Sequence, residues 1–168
     1  LAVGLVAAMA LTACGGQNSD NAGEPTSELS NDTLVAIVAN DPSSFHPDFK
    51  SDDNAWGPNQ NIFNRLVKLN AYDQVIPDLA ETWEWNDDST QVTFHLHEGV
   101  KWHDGEAFTS ADVKWTYDTL IAEKWNKSDS FASVESIECP DDNTVVMNLK
   151  YPDVSLIAKL SWYGTFIM

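Results

Sequence analysis

Apolar and polar positions change their spacing several times along this chain, and each change predicts an element. Residues 33–39 (TLVAIVA) form an unbroken aliphatic and β-branched run of strand length, as expected of a strand buried on both faces. Asn40-Asp41-Pro42-Ser43-Ser44 stops it, because proline fixes φ and lacks an amide donor. The polar stretch 45–58 reads as a loop that carries Phe45, Phe49 and Trp56. Helical spacing follows over 61–69, with apolar side chains at Ile62, Phe63, Leu66, Val67 and Leu69, and Asn70-Ala71-Tyr72-Asp73 ends it. Pro77, within 75–80, predicts a turn or the start of a short helical turn.

The pattern then becomes strictly alternating. Trp83 and Trp85 fall on one face of a strand, and Asn86-Asp87-Asp88-Ser89 supplies side chains that bond their own backbone in a turn. Val92, Phe94 and Leu96 share one face of the next strand, while Thr93, His95 and His97 share the other. Asp104-Gly105 marks a second turn. Thr109-Ser110-Ala111-Asp112 has the form of a capping box, and the helix it opens carries apolar residues at Val113, Tyr117, Leu120 and Ile121. Residues 134–139 and 144–149 flank Pro140-Asp141-Asp142-Asn143 as a hairpin. Trp83, Trp85, Trp102 and Trp115 are expected to be core or half-buried residues.

The N-terminal 13 residues are apolar but shorter than the ~20 needed to span a bilayer. They have the length of a secretory signal core, and Leu11-Thr12-Ala13-Cys14 resembles a bacterial lipobox. That resemblance implies lipidation of Cys14 as the first mature residue and anchoring to a membrane through its acyl chains. Residues 14–32 hold Leu29 as their one large aliphatic side chain and no aromatic, which predicts a flexible tether. The folded domain is then expected over 33–168. The apolar end, from Ser161 to Met168, is expected to pack against something, and the chain to be the opening part of a longer protein.

Charge and cysteines narrow the function. With 26 Asp and Glu against 9 Lys and Arg, the net charge of −17 argues against nucleic acid as a partner and against a basic membrane patch. A lipidated Cys14 leaves Cys139 without a disulfide partner, and the spacing of the two cysteines suits no metal site. Cys139 is expected to be a buried residue at a strand end.

Two segments carry a family resemblance. Pro77-Asp78-Leu79-Ala80-Glu81-Thr82-Trp83-Glu84 resembles the PDLAESWE segment of the bacterial extracellular solute-binding proteins of family 5, the peptide, dipeptide and nickel receptors of ABC importers. Residues 94–105 are similar to that family's F-x-L-R-x-G-V-K-F-H-D-G strand pair, with His97 where Arg or Lys is frequent and Trp102 where Phe is frequent; Ala107-Phe108-Thr109-Ser110-Ala111-Asp112-Val113 follows in the expected order. The resemblance implies an α/β, periplasmic-binding-protein-like two-lobed receptor of the cluster C type, of which the first part of lobe one and its extra β-rich subdomain are present. It also implies a non-enzymatic, extracytoplasmic monomer without a cofactor, whose partners are a peptide ligand, the permease complex and the membrane.

Turns, cap and strand faces give the signature 75–120 ordinary structural work, so ligand contact is expected elsewhere. In open α/β sheets, ligands collect at the carboxyl ends of strands, which points to Asn40 and Phe45 in the loop after the first strand. The resemblance places Trp56 at a cleft-facing position, and Trp125 is a further candidate. Nickel, a metal chelate or an oligosaccharide is the alternative ligand class, and His46 would matter for nickel or haem. His95 and His97, with His103-Asp104, suggest a remote alternative, a metal-dependent surface hydrolase.

Overall fold

The computed structural model describes residues 40–47, 53–162 and 164–168. The expected first strand, the lipobox, Cys14 and the tether lie outside them.

Residues Asp53–Ile62 form helix α1, and short strands β1 (Val67–Leu69) and β2 (Val75–Pro77) pair as an antiparallel ribbon. Strands β3 (Ala80–Trp85), β4 (Gln91–Leu96), β5 (Val134–Asp141) and β6 (Thr144–Leu149) form one antiparallel sheet in the order β3-β4-β6-β5. Between β4 and β5 run helix α2 (Ser110–Ala122) and a 3₁₀ turn at Ser128–Phe131; after β6 comes α3 (Leu156–Leu160).

The helix expected over 61–69 is displaced. It lies earlier, and its sequence DNAWGPNQNI is poor in helix formers and holds Pro58. Leu66 and Val67 are both buried because the chain has already turned into β1, a strand too short to show its own period. The expected helical turn near Pro77 is instead the end of β2. A two-stranded ribbon has only edges, so a proline without a donor is tolerated there.

The sheet has one apolar and one polar face. Val92, Phe94 and Leu96 of β4 are buried with Val145, Met147 and Leu149 of β6, while Trp83 and Trp85 of β3 lie half-buried against the same core. Gln91, Thr93 and His95 face the other way, and Gln91 Nε2 donates to Asn148 Oδ1 at 2.8 Å. Helix α2 covers the apolar face with Val113, Tyr117 and Leu120, all fully buried; each such side chain contributes roughly 1.5–3 kcal/mol through the area it removes from water. Trp115 does not join them. Two positions round from Val113 and Tyr117, it lies off their stripe and is 57% exposed, contrary to expectation; Ile121 is exposed as well.

Local hydrogen bonds fix the turns that alternation predicts. Asn86 Oδ1 accepts from the amides of Thr90 and Gln91. The capping box closes α2, with the Thr109 amide donating to Asp112 Oδ2 at 2.7 Å. The hairpin tip then pins that helix start, because the Ser110 amide donates to Asp142 O at 2.8 Å. Cys139 is half-buried on β5, and its Sγ–H donates to Ser110 O. The apolar end packs as expected: Phe166 and Ile167 are buried, and Thr116 Oγ1 donates to Met168 O.

Asp153 holds α3 against the β5–β6 hairpin by accepting from Ser133 Oγ at 2.8 Å and Lys159 Nζ at 2.7 Å, and from Ser155 Oγ. Burial alone would raise its pKa, but the hydrogen bonds from Lys159, Ser155 and Ser133 and the Lys159 charge lower it from 3.8 to about 2. A carboxyl depressed on folding adds stability above its unfolded pKa and loses it as pH falls through the folded value. Asp153→Asn should therefore cost about 1–2 kcal/mol at pH 7, and the deficit should shrink between pH 4 and pH 2 in urea titrations.

Candidate functional site

The segment between α1 and β3 is held by one carboxylate. Asp78 Oδ2 accepts from the Arg65 amide at 2.9 Å, and its Oδ1 accepts from Asn64 Nδ2 at 2.8 Å and Lys68 Nζ at 3.0 Å. The Asp78 side chain is only 8% exposed, so these charge-assisted bonds operate at reduced dielectric. Beside it, the Asp78 and Ala80 amides both donate to Leu66 O, and the Leu79 amide donates to Arg65 O. The aspartate of the PDLA segment thus joins the end of α1 to the entry of the main sheet.

Arg65, which sequence reading did not single out, extends the same joint. Its buried guanidinium donates to Ser161 O at 2.8 Å and lies 4.3 Å from the centroid of the Phe166 ring. Over this joint opens a cavity of about 270 Å³, lined by Trp56, Gln60, Phe63, Arg65, Lys68 and Trp162, among others. Trp56 stands on α1, not in a loop, and is 49% exposed at that cavity.

The other candidates occupy a second place. Asn40 and Phe45 are exposed, and His46 from the same segment meets half-buried Trp125 edge to face, ring centroids 5.0 Å apart. His46 remains exposed as a residue, so the desolvation that lowers its imidazole pKa acts from the contacting side; the ring is neutral near pH 7. The structure therefore brings 40–47 and the turn after α2 together, whereas Trp56 lines a cavity whose walls include neither Phe45 nor Trp125. A His–Trp contact between segments so distant in sequence carries no local signal.

The histidines of the signature are apart from both. His95 Nε2 lies 3.7 Å from Glu84 Oε1 across β3 and β4, on the polar face. Among the described residues, no cluster of His, Cys, Asp and Glu side chains is placed to hold a metal ion.

Residues 74–168, more than half of the chain, match the model of the bacterial extracellular solute-binding proteins, family 5 Middle. The chain belongs to that family. Among curated family 5 relatives, it is 32% identical to the dipeptide-binding protein of Escherichia coli K12, over 77% of this chain and 28% of that protein. It is 29% identical to heme-binding protein A of Haemophilus influenzae, over 92% of this chain and 32% of that one. A solved periplasmic binding protein, AgaA of A. tumefaciens R10 in complex with agropinic acid, superposes with a TM-score of 0.58 at 36% identity, covering 64% of this chain and 22% of the other. The chain thus spans about a third or less of the length of these family 5 proteins, and its mixed α/β architecture is part of one lobe of their fold. Family 5 members are transport binding proteins of the extracytoplasmic space.

If Asp78 is the joint of this lobe, Asp78→Ala should cost about 2–4 kcal/mol in urea unfolding, because Asn64, Lys68 and the Arg65 amide lose their shared acceptor. Asp73→Asn, at an exposed left-handed turn position that Asn tolerates, should stay within ~0.5 kcal/mol of the parent.

Proposed function

We propose that this chain is part of a receptor that captures small peptides outside the cytoplasm and delivers them to an ABC importer. The observation that carries the peptide reading is the likeness to the E. coli dipeptide-binding protein across most of this chain. The exposed Phe45 and Trp56 and the half-buried Trp125 agree with it, offering flat apolar faces that accept varied side chains, while backbone groups of a peptide are met by polar groups and water. The two lobes close over the peptide, and the closed form docks on the permease. No bond of the ligand is broken, so the protein is not an enzyme in this reading.

The domain plan belongs to the same proposal. Residues 1–13 are the end of a lipoprotein signal, 14–32 a tether lipidated at Cys14, and 33–168 the N-terminal portion of a monomeric solute-binding domain. A haem or nickel chelate is the second reading, favoured by the neutral His46 imidazole against Trp125 and by the heme-binding relative.

Intrinsic tryptophan fluorescence of the full-length receptor, titrated with tri-alanine and separately with haemin, separates the readings. Saturable binding of the peptide that haemin does not compete supports the first, and binding of haemin alone overturns it. Trp56→Ala and Trp125→Ala should each weaken peptide binding about tenfold, a loss of ~1.4 kcal/mol. Residues 33–168 alone should bind tri-alanine far more weakly than the whole receptor; equal affinity would contradict a two-lobed cleft. In the expressing bacterium, Cys14→Ser should move the receptor from the membrane to the soluble extracytoplasmic fraction.

A further inference from the structure

Trp56 and Trp162 lie far apart in the sequence, yet both line the cavity of about 270 Å³ over the Asp78 joint. Both keep about half of their surface open to solvent, 49% and 52%, so a solute can reach them. On α1, Trp56 and Gln60 are one turn apart, and Phe63 follows at the next turn, its amide donating to Asn59 O at 2.9 Å. One helical face therefore supplies three of the lining side chains. Trp162 is set by its backbone. The Ser161 carbonyl before it accepts from Arg65 at 2.8 Å, and its own carbonyl accepts from Thr165 Oγ1 at 2.8 Å. A half-exposed indole on a fixed backbone is already in position, so contact with a solute costs little ordering.

The polar groups of the same lining differ in what they have left to offer. Arg65 is committed to Ser161 and Phe166, and Asp78 accepts from the Arg65 amide, Asn64 and Lys68. Lys68 spends one donor on Asp78 Oδ1, but an ammonium carries three, and the side chain is 46% exposed. Donors therefore remain for an oxygen in the cavity. The charges of the lining cancel, Arg65 and Lys68 against Asp73 and Asp78, on a chain whose net charge is −17. A carboxylate is repelled less here than over the acidic remainder of the surface. The volume lies just below the roughly 300–1,000 Å³ of pockets that enclose a whole small ligand, which suits one residue of a peptide.

We infer that this cavity is a side-chain subsite for an aromatic residue of the solute: the ring packs against Trp56 and Trp162, and Lys68 Nζ donates to a carboxylate or carbonyl oxygen of the same residue. The assignment deepens the peptide reading above and rests on it. Trp162 is then a specificity-determining residue, because contact between aromatic rings favours an aromatic side chain over a methyl group beyond the area it buries. Arg65 acts at one remove, holding the backbone that carries Trp162.

The test uses the full-length receptor and calorimetric Kd values for tri-alanine, Ala-Ala-Phe and Ala-Ala-Phe amide. The wild type should bind Ala-Ala-Phe about tenfold tighter than tri-alanine, and Trp162→Ala should remove most of that preference. Weaker binding of the amide assigns the oxygen on Lys68 to the terminal carboxylate. Equal binding of acid and amide, with both weakened in Lys68→Met, assigns it to a carbonyl; no loss in Lys68→Met overturns the role of Lys68. Equal affinity for tri-alanine and Ala-Ala-Phe, or a preference unchanged in Trp162→Ala, overturns the subsite and spares the peptide reading. So does a ligand-free Tm lowered by several degrees in Trp162→Ala, because the ring would then pack against the rest of the receptor. A last probe, 3-phenylpropionate, carries the ring and the carboxylate without a peptide bond. If it binds the wild type but not Trp162→Ala, and no peptide binds, the subsite stands and the peptide reading falls; binding of none of the probes overturns both.

Discussion

One buried carboxylate organises the part of the lobe around the candidate sites. Asp78 ties the Arg65 amide, Asn64 and Lys68 to the strand that begins the main sheet, and every element between α1 and β3 takes its position from that knot. Arg65, set in place through its own backbone, then reaches Ser161 and Phe166, so the knot also fixes the end of the described chain. A neutral side chain of the same size could accept some of these bonds but would lose the charge assistance that the buried carboxylate gives them. The aspartate of the family's PDLA segment therefore has a physical reason to be there that involves no ligand.

The same holds along the rest of the signature. Asp112 closes a capping box, Gly105 adopts φ 94° in the turn that β-like pairing of Lys101 with Ala107 requires, and Trp83, Trp85 and Trp102 pad the edge of the core. The polar face of the sheet carries Gln91 donating to Asn148, whose own amide donates to Ser136 and Glu138, and His95 beside Glu84. The stretch that identifies the family thus supports the lobe, while the candidate ligand groups stand at the segments around it: the turn after α2, the 40–47 loop and the exposed flank of α1.

Which elements were legible in the sequence follows from where their stability originates. Strand β4 has a period of two because one face meets the core, and the Asn86 turn and the Thr109 box are made by side chains on their own backbone; all three are local and were readable. Helix α1 was not, because its propensity is low and Gly57 and Pro58 lie inside it, while the apolar cluster at Ile62 to Leu69 imitates a helix as the chain turns into a strand. Trp115 was misjudged because an aromatic residue on an amphipathic helix reads as core until the stripe of Val113, Tyr117 and Leu120 is seen to exclude it. Asp78 and Arg65 were silent for another reason: their partners are distant, and a lone charged residue reveals nothing of them.

The central claim is a division of labour, with the signature as scaffold and the solute, as proposed, held by the segments around it: the turn after α2, the 40–47 loop and the exposed flank of α1. Hydrogen–deuterium exchange on the full-length receptor, with and without a saturating tripeptide mixture, tests it most directly. Ligand-dependent protection should appear at residues 40–47 and 124–127 and leave the amides of 80–108 unchanged. Protection confined to 80–108, with none at 124–127, would contradict it.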